Sequence, residues 1–142
     1  VNTTLTEINL DGSRLGDDGA KYIADVLNVN TTLKSISLYL NEIGDAGVLY
    51  IAEALKMNNT LNKIRLWYNN IGGDGAAQIA EALKVNTTLT ELSFGSNAIG
   101  DTGVKHLVHM LKVNTTLNSF DLSDNQIGND GVRDIAEALK VN

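Results

Sequence analysis

The sequence predicts an α/β fold in which five copies of one strand–turn–helix unit stack into a right-handed solenoid. Three observations predict it. The motif N-x-T-L recurs every 28 residues, a short apolar alternation follows each motif, and a segment of helical periodicity completes each unit. The motif leucines are Leu5, Leu33, Leu61, Leu89 and Leu117. We predict a single array over residues 1-142, with repeats at 2-29, 30-57, 58-85, 86-113 and 114-141.

The first part of each unit is predicted to be a short strand with a turn after it. In the second unit Leu33, Ile36 and Leu38 supply the apolar side of this strand. An asparagine comes three residues after the last apolar position. If it is buried, its amide must bond backbone groups on both sides of the turn, which predicts a ladder along the solenoid. The asparagines are Asn41, Asn69, Asn97 and Asn125, with Ser13 in the first unit.

The second part of each unit is predicted to be a helix. In the third unit Ala76, Ile79, Ala80 and Leu83 have the i, i+3, i+4, i+7 spacing of one helical face. The residues expected to cap the helix N-termini are Asp17, Asp45, Asp101 and Asn129, with Gly73 as the departure. The residues expected to end the helices in the left-handed conformation are Asn30, Asn58, Asn86, Asn114 and Asn142.

These motifs carry a family resemblance. The pattern L-x-x-L-x-L-x-x-N-x-[IL] within 28 residues resembles the ribonuclease-inhibitor-like class of leucine-rich-repeat proteins. The phrases G-D-x-G and I-A-E-A-L-K-V-N-T-T-L resemble the C-terminal arrays of nucleotide-binding leucine-rich-repeat receptors. The resemblance covers essentially the whole chain. It implies a parallel sheet on a concave face, helices on a convex face, and a protein-interaction module that is a fragment of a longer receptor or scaffold.

The concave sheet face is where we expect a partner to bind. Strands about 4.8 Å apart and helices about 8–10 Å apart must curve into an arc, and curved solenoids bind through their concave surfaces. The outward strand positions differ in every unit, and aromatic and basic side chains gather in the second and third. Trp, Tyr and Arg dominate interface hot spots. The predicted binding residues are Tyr39, Leu40, Lys63, Arg65, Trp67 and Tyr68.

Two further expectations concern this patch. The small residues Ser93, Gly95 and Ser96 of the fourth unit are expected to leave a hollow beside the aromatic ridge. Five strands span about 19 Å, so the face offers only a few hundred Å², against about 800 Å² per partner in a standard interface. A weak partner, a small ligand or a longer array is therefore required. The alternative interpretation is an exposed cluster without a binding role, in which Lys63 only pairs with Glu91 across the strands.

Composition and motif spacing argue against several other functions. There are 11 basic and 17 acidic residues and a net charge of −6, which disfavours nucleic acid and anionic membranes as partners. No nucleophile–base pair is evident, so we predict neither an enzyme nor a cofactor. His106 and His109 have no third ligand beside them, so no metal site is predicted. The absence of cysteine suits a reducing compartment, and we expect a cytoplasmic location.

The repeated N-x-T motif is also an acceptor sequence for N-glycosylation. Because it recurs in phase with the repeat, we interpret it as part of the helix end and the turn. The motif asparagines are Asn2, Asn30, Asn58, Asn86 and Asn114.

Two alternative functions stay open at this point. One is a fragment resembling Ran GTPase-activating protein, which shares this repeat class. The other is self-association, because no polar capping repeat is evident and solenoids normally need one. Both the head-to-tail and the end-paired arrangement are possible. The apolar flanks concerned contain Leu5, Ile8 and Leu10 at one end and Phe120, Leu122 and Ile135 at the other.

Overall fold

Strands and helices alternate strictly along the chain. The computed structural model describes residues 1–141, and within them each repeat contributes one strand and one helix, as the sequence predicts. The strands are β1 (Glu7–Asn9), β2 (Ser35–Ser37), β3 (Lys63–Arg65), β4 (Glu91–Ser93) and β5 (Ser119–Asp121). The helices are α1 (Gly16–Val29), α2 (Asp45–Met57), α3 (Gly73–Leu83), α4 (Gly100–Leu111) and α5 (Asn129–Ala138).

The five strands form one parallel sheet in sequence order, with the helices in a second layer behind it. The register advances by one repeat at every step, so that Ser35 pairs with Lys63, and Lys63 with Glu91. Equivalent positions of successive repeats therefore lie in straight columns across the sheet. This register brings the varied outward positions of the sequence side by side.

The core lies between the sheet and the helices. Ile36 and Ile64 of the strands are fully buried, and so are Ile79 and Leu83 on the predicted face of α3. The apolar residues of the middle repeats are covered on both sides, because each repeat packs against two neighbours. Leu5 of the first repeat is 46% exposed, whereas its equivalent Leu33 is 4% exposed.

The predicted asparagine ladder is confirmed. Asn69 is typical: its side-chain Nδ2 donates to the carbonyls of Leu38 and Leu66, and its Oδ1 accepts the N–H groups of Asn41 and Ile43. One side chain thus joins two neighbouring turns. The same bonds to the preceding repeat are made by Asn41, Asn97 and Asn125.

The asparagines after the helices form a second ladder, but they do not adopt the predicted left-handed conformation. Asn30 and Asn58 are extended, with φ of −84° and −70°. Their Oδ1 atoms accept the N–H groups of the two residues that enter the next strand, and Asn58 Nδ2 donates to Leu27 O at 2.8 Å. These bonds satisfy the asparagine without a positive φ. The corresponding prediction for Asn142 lies outside the described residues.

The aspartates predicted as N-caps act on the following repeat instead of on their own helix. None of the five helices has a side-chain hydrogen bond at its N-cap. The Oδ1 atom of Asp45 accepts the N–H of Gly72, which precedes α3, at 2.7 Å. Asp17 does the same for Gly44, and Asp101 for Gly128, both at 2.8 Å. We call these three contacts the Asp–Gly bonds.

The second glycine of each G-D-x-G phrase makes room for the arriving carboxylate. A Cβ atom on Gly75 would lie 2.4 Å from Asp45 Oδ1, and a Cβ on Gly47 would lie 2.4 Å from Asp17 Oδ1. Real carbon–oxygen contacts are never so short. The phrase is therefore an inter-repeat contact.

Where the preceding repeat has no such aspartate, the first glycine changes conformation. Gly73 stands at the aspartate position of the third repeat, and Gly100 after it has a φ of +58° and donates its N–H to Asn125 O at 2.9 Å. Gly16 of the first repeat likewise has a φ of +59° and donates to Asn41 O. By contrast Gly72, which has its aspartate, has a φ of −98°.

Candidate functional site

The six predicted binding residues all lie on the outer side of the sheet or at its loop edge, in the second and third repeats. Three of them are aromatic and form one cluster: the ring centroids are 6.3 Å apart for Tyr39 and Trp67, 5.6 Å for Tyr39 and Tyr68, and 5.8 Å for Trp67 and Tyr68. The Tyr68 ring meets both others edge to face, an arrangement that aromatic pairs favour. The sequence placed Tyr39 beside Trp67, and this adjacency is present. Its role in binding remains a prediction.

The backbone turns two of these side chains outward. Leu40 and Tyr68 have positive φ, +55° and +52°, and every repeat has a left-handed residue at this column, which also contains Gly12, Ser96 and Asp124. The Leu40 and Tyr68 amides donate to Trp67 O and Gly95 O in the following repeat, both at 3.0 Å. The inter-strand bonds thus hold a conformation that L-residues disfavour. Leu40 is consequently 48% exposed and Tyr68 50% exposed.

The expected hollow at the fourth repeat does not exist, because the Trp67 side chain fills it. A Cβ atom on Gly95 would lie 1.4 Å from Trp67 Nε1 and 2.2 Å from Cδ1. The indole lies flat against the bare backbone of Gly95, in the space that any other side chain would occupy. Trp67 is therefore half-buried and fixed in place, and Leu40 and Tyr68 form the exposed edge of the cluster.

The indole N–H points toward the fifth repeat. Trp67 Nε1 is buried and makes no hydrogen bond within the described chain. Burial raises the pKa of Asp121, but hydrogen bonds from the Ser123 backbone and hydroxyl and from the Ser93 hydroxyl, with the nearby indole N–H, outweigh it, so the pKa is lowered. Because the indole bond is not formed with normal geometry, we treat the N–H as a dipole near the carboxylate.

The two basic residues of the patch are already paired. Lys63 Nζ forms an ion pair with Glu91 of the next strand, the pairing that the alternative interpretation of the sequence expected. Arg65 reaches past the second strand to Glu7, with 4.0 Å between Nη1 and Oε1. Both pairs are half-exposed, and exposed pairs contribute at most about 1 kcal/mol. A partner can therefore replace either acid at little cost.

The other surfaces carry less chemistry. Within residues 1–141 no group of three or more His, Asp or Glu side chains is close enough to hold a metal ion, and His106 and His109 are exposed on α4. In the same part of the chain no helix is long and apolar enough to cross a membrane. The side chains of Asn58 and Asn86 are buried and their Nδ2 atoms donate to Leu27 O and Leu55 O, which makes them poor glycosylation acceptors in the folded protein.

The comparison with known families agrees with this geometry. The family model described as "Leucine Rich repeat" matches five times, at residues 1–24, 29–52, 58–80, 85–108 and 113–136. The chain belongs to the leucine-rich-repeat family. Domains of this family are generally non-enzymatic protein-interaction modules, and this chain is not an enzyme. No curated protein matches the sequence significantly.

Two solved structures are similar to this leucine-rich-repeat domain over nearly its whole length. The first is leiomodin-1 actin-binding site 2, at 27% identity and a TM-score of 0.80, covering 96% of this chain and 80% of the other. The second is the tropomodulin C-terminal domain of Caenorhabditis elegans, at 15% identity and a TM-score of 0.81, covering 98% of this chain and 84% of the other. The tropomodulin likeness supports the fold alone.

The acidic residues that flank the aromatic cluster were not predicted as part of the site. Asp11 accepts the Tyr39 N–H at 3.0 Å on one side, and Asp121 lies beyond Gly95 on the other. The columns of outward residues already contained both, so the signal was present in the sequence. It was missed because Trp67 was expected to stand free of the fourth repeat, whereas it lies across it toward the fifth.

Proposed function

We propose that this domain binds a protein partner through the patch of Tyr39, Leu40, Lys63, Arg65, Trp67 and Tyr68. The observation that supports the proposal is the exposed, fixed aromatic cluster. Its rings are ordered before any partner arrives, so binding does not have to order them at the cost of side-chain entropy. The ribonuclease-inhibitor-like subclass, the kinship with nucleotide-binding receptors and the cytoplasmic location remain predictions of the sequence.

Actin is the first partner that we would test. Leiomodin-1 actin-binding site 2 shares the fold and 27% of aligned residues, which supports the choice. The experiment is co-sedimentation of the domain with filamentous actin, together with retention of monomeric actin on immobilised domain. Binding of either form supports actin as the partner. No binding to either form at tens of micromolar protein removes actin but leaves the binding patch to be tested with other partners.

The patch itself is tested with matched pairs of variants, using whichever protein the domain captures. Tyr68→Ser removes the exposed ring of the patch, and Tyr22→Ser removes an exposed ring from α1. Arg65→Gln and Arg133→Gln form a second pair, on the sheet and on α5. We expect the sheet variants to weaken binding about tenfold or more and the helix variants to leave it unchanged. Equal effects of both members of a pair would refute the patch.

Self-association is a second candidate function, supported by the terminal repeats. The apolar positions that a neighbouring repeat covers inside the array are open at both ends: Leu5 is 46% exposed and Leu139 is 62% exposed. An apolar hollow of about 370 Å³ at the fifth repeat is lined by residues including Phe120, Leu122 and Ile135. A second copy stacked in register would cover both surfaces. Matching ends could also pair.

Light scattering over a dilution series distinguishes these outcomes. A concentration-independent mass of one chain, 15.2 kDa, would exclude self-association of this domain. A discrete multiple that Leu5→Asp or Leu139→Asp abolishes would support it, because each change places a charge on one of the two surfaces. If both changes are needed to abolish it, end-pairing at both ends is indicated. If either change suffices, stacking is head to tail.

A further inference from the structure

The outward columns of the sheet carry more acid than base. Four columns face outward, and in the first repeat they contain Glu7, Asn9, Asp11 and Gly12. Along these columns the cations are Lys63 and Arg65, and the carboxylates are Glu7, Asp11, Glu91, Asp121 and Asp124. The binding face therefore has three negative charges in excess, and it contributes half of the chain's net charge of −6. A charge of this sign favours a cationic partner.

The excess is concentrated in three aspartates. Glu7 and Glu91 are the carboxylates that pair with the two cations. Among the described residues Asp11, Asp121 and Asp124 have no ion pair, and each is oriented only by neutral donors. Asp11 accepts the Tyr39 N–H, and the carboxylates of the fifth repeat accept hydroxyl or backbone bonds from Ser93, Ser123 and Ser96. Oriented carboxylates without a cation are suited to receive one from a partner.

The three aspartates stand on either side of the aromatic cluster. Asp11 belongs to the first repeat and adjoins Tyr39, while Asp121 and Asp124 belong to the fifth, toward which the Trp67 indole extends over Gly95. Four strand spacings of about 4.8 Å separate the two sides, or about 19 Å. An extended peptide covers this distance with about six residues. Aromatic faces between the two sides add a favourable site for a cation or an apolar side chain.

We propose that the partner segment is basic: an extended stretch that crosses the strands, places one cationic side chain at Asp11 and another at Asp121 and Asp124, and lays an apolar side chain on the aromatic cluster between them. This inference rests on the proposed function, since it assigns a chemistry to the partner of the same patch. It also assigns a different role to Lys63 and Arg65. Paired with their own acids, they keep the centre of the face neutral, so that the attraction is strongest at its two sides.

The test uses two defined hexapeptides with blocked ends as probes. One has lysine at both ends and leucine and phenylalanine in the centre, and the other has glutamate in place of both lysines. Binding is measured by calorimetry and by the fluorescence of Trp67, which is the only tryptophan of the chain. We expect the lysine peptide to bind at least tenfold more tightly than the glutamate peptide, and we expect its affinity to fall as ionic strength rises.

Variants of the domain locate the effect. The pair Asp11→Asn and Asp124→Asn together removes one charge on each side and keeps an oxygen for the Tyr39 N–H and for the Ser96 hydroxyl. We expect it to weaken the lysine peptide about fivefold. Asp25→Asn combined with Asp18→Asn makes the same charge change on α1, away from the sheet, and we expect less than a twofold effect.

Three results would overturn the inference: equal or tighter binding of the glutamate peptide, no binding of the lysine peptide at millimolar concentration, or equal effects of the two variant pairs. These failures differ from failure of the proposed function. If Tyr68→Ser weakens a captured protein and the aspartate pair does not, the patch stands and the basic partner is wrong. If the aspartate pair weakens the lysine peptide and Tyr68→Ser changes neither ligand, the charge argument stands and the aromatic cluster is not the site.

Discussion

The indole ring of Trp67 occupies the space that a side chain at position 95 would need, so the third and fourth repeats are interlocked through a tryptophan and a glycine. A Cβ on Gly95 would come within 1.4 Å of Trp67 Nε1. The contact buries one face of the indole, and it also fixes the ring that Tyr39 and Tyr68 pack against. A residue of the binding patch is thus positioned by the absence of a side chain 28 residues later.

Gly95→Ala is expected to expel the indole from this position. The methyl group cannot share the space with the ring, so Trp67 must rotate toward solvent, with a loss of about 1–3 kcal/mol from the free energy of unfolding. The emission maximum of the single tryptophan should shift to longer wavelength. Ser119→Ala, on the same face of the sheet, should change neither the emission nor the stability. An unchanged emission maximum in Gly95→Ala would contradict the interlock.

Asp45→Ala is expected to destabilise the array by about 1–2 kcal/mol, because the N–H of Gly72 loses its acceptor at the start of α3. Asp45→Asn keeps an acceptor oxygen and should lose less. Urea unfolding followed by circular dichroism measures both. Asp74→Ala removes an exposed acid from the first turn of α3 and serves as the control. A loss as large in the control would show that the helix dipole, and not the Asp–Gly bond, carries the effect.

Gly73→Asp is expected to supply the missing Asp–Gly bond between the third and fourth repeats. A carboxylate there can accept the N–H of Gly100, which then has no reason to keep its positive φ. We expect a gain of about 1 kcal/mol over Gly73→Ala, which controls for the loss of a glycine. Nuclear magnetic resonance of the Gly100 amide reports the change of conformation. A Gly73→Asp protein no more stable than Gly73→Ala would disprove the bond.

Leu40→Asn is expected to raise stability slightly and to weaken partner binding. Leu40 has a φ of +55° and is half-exposed, and asparagine tolerates the left-handed conformation better than leucine does. The gain should be about 0.5 kcal/mol in urea unfolding. Leu49→Asn gives the comparison of opposite sign, because Leu49 lies inside α2 where asparagine is a poor helix former. A loss of stability at Leu40 as large as at Leu49 would show that the left-handed backbone carries no strain.

Asp121 is expected to make the fold more sensitive to acid. Its pKa is lower in the folded protein than its ordinary value, so its stabilisation is complete above that ordinary value, near 4, and is lost as the pH falls through the lowered pKa. Asp121→Asn should therefore flatten the fall of the unfolding free energy at acid pH. Asp25→Asn, on α1, should leave the acid dependence as it is in the wild type. Parallel acid profiles for wild type and Asp121→Asn would contradict the shift.

Most of the fold follows from the sequence because its signals are local or strictly periodic. Strand positions such as Ile36 and the helical face of Ile79 are set by apolar spacing within one repeat. The asparagine ladder could be predicted as well, since a buried amide has few ways to be satisfied. The pairing of Lys63 with Glu91 followed from the 28-residue register alone.

The predictions that failed depend on contacts between repeats. Asp45 has the composition of an N-cap for its own helix, and only the three-dimensional stacking shows that its carboxylate is closer to Gly72. The hollow beside Gly95 was inferred from small side chains, but a larger side chain from the preceding repeat fills it. Position 73 held the missing clue: the one repeat without an aspartate is followed by the one internal glycine, Gly100, with a positive φ.

The Asp–Gly bonds all point the same way along the chain, and this has a consequence for the order in which the protein is made. In each bond the acceptor is in the earlier repeat and the donor is in the later one, as in Asp17 and Gly44. The asparagine ladder has the same sense, because Asn69 bonds back to Leu38 and Ile43. As the chain leaves the ribosome, each new repeat therefore meets a finished template behind it. Synthesis and stacking proceed in the same direction.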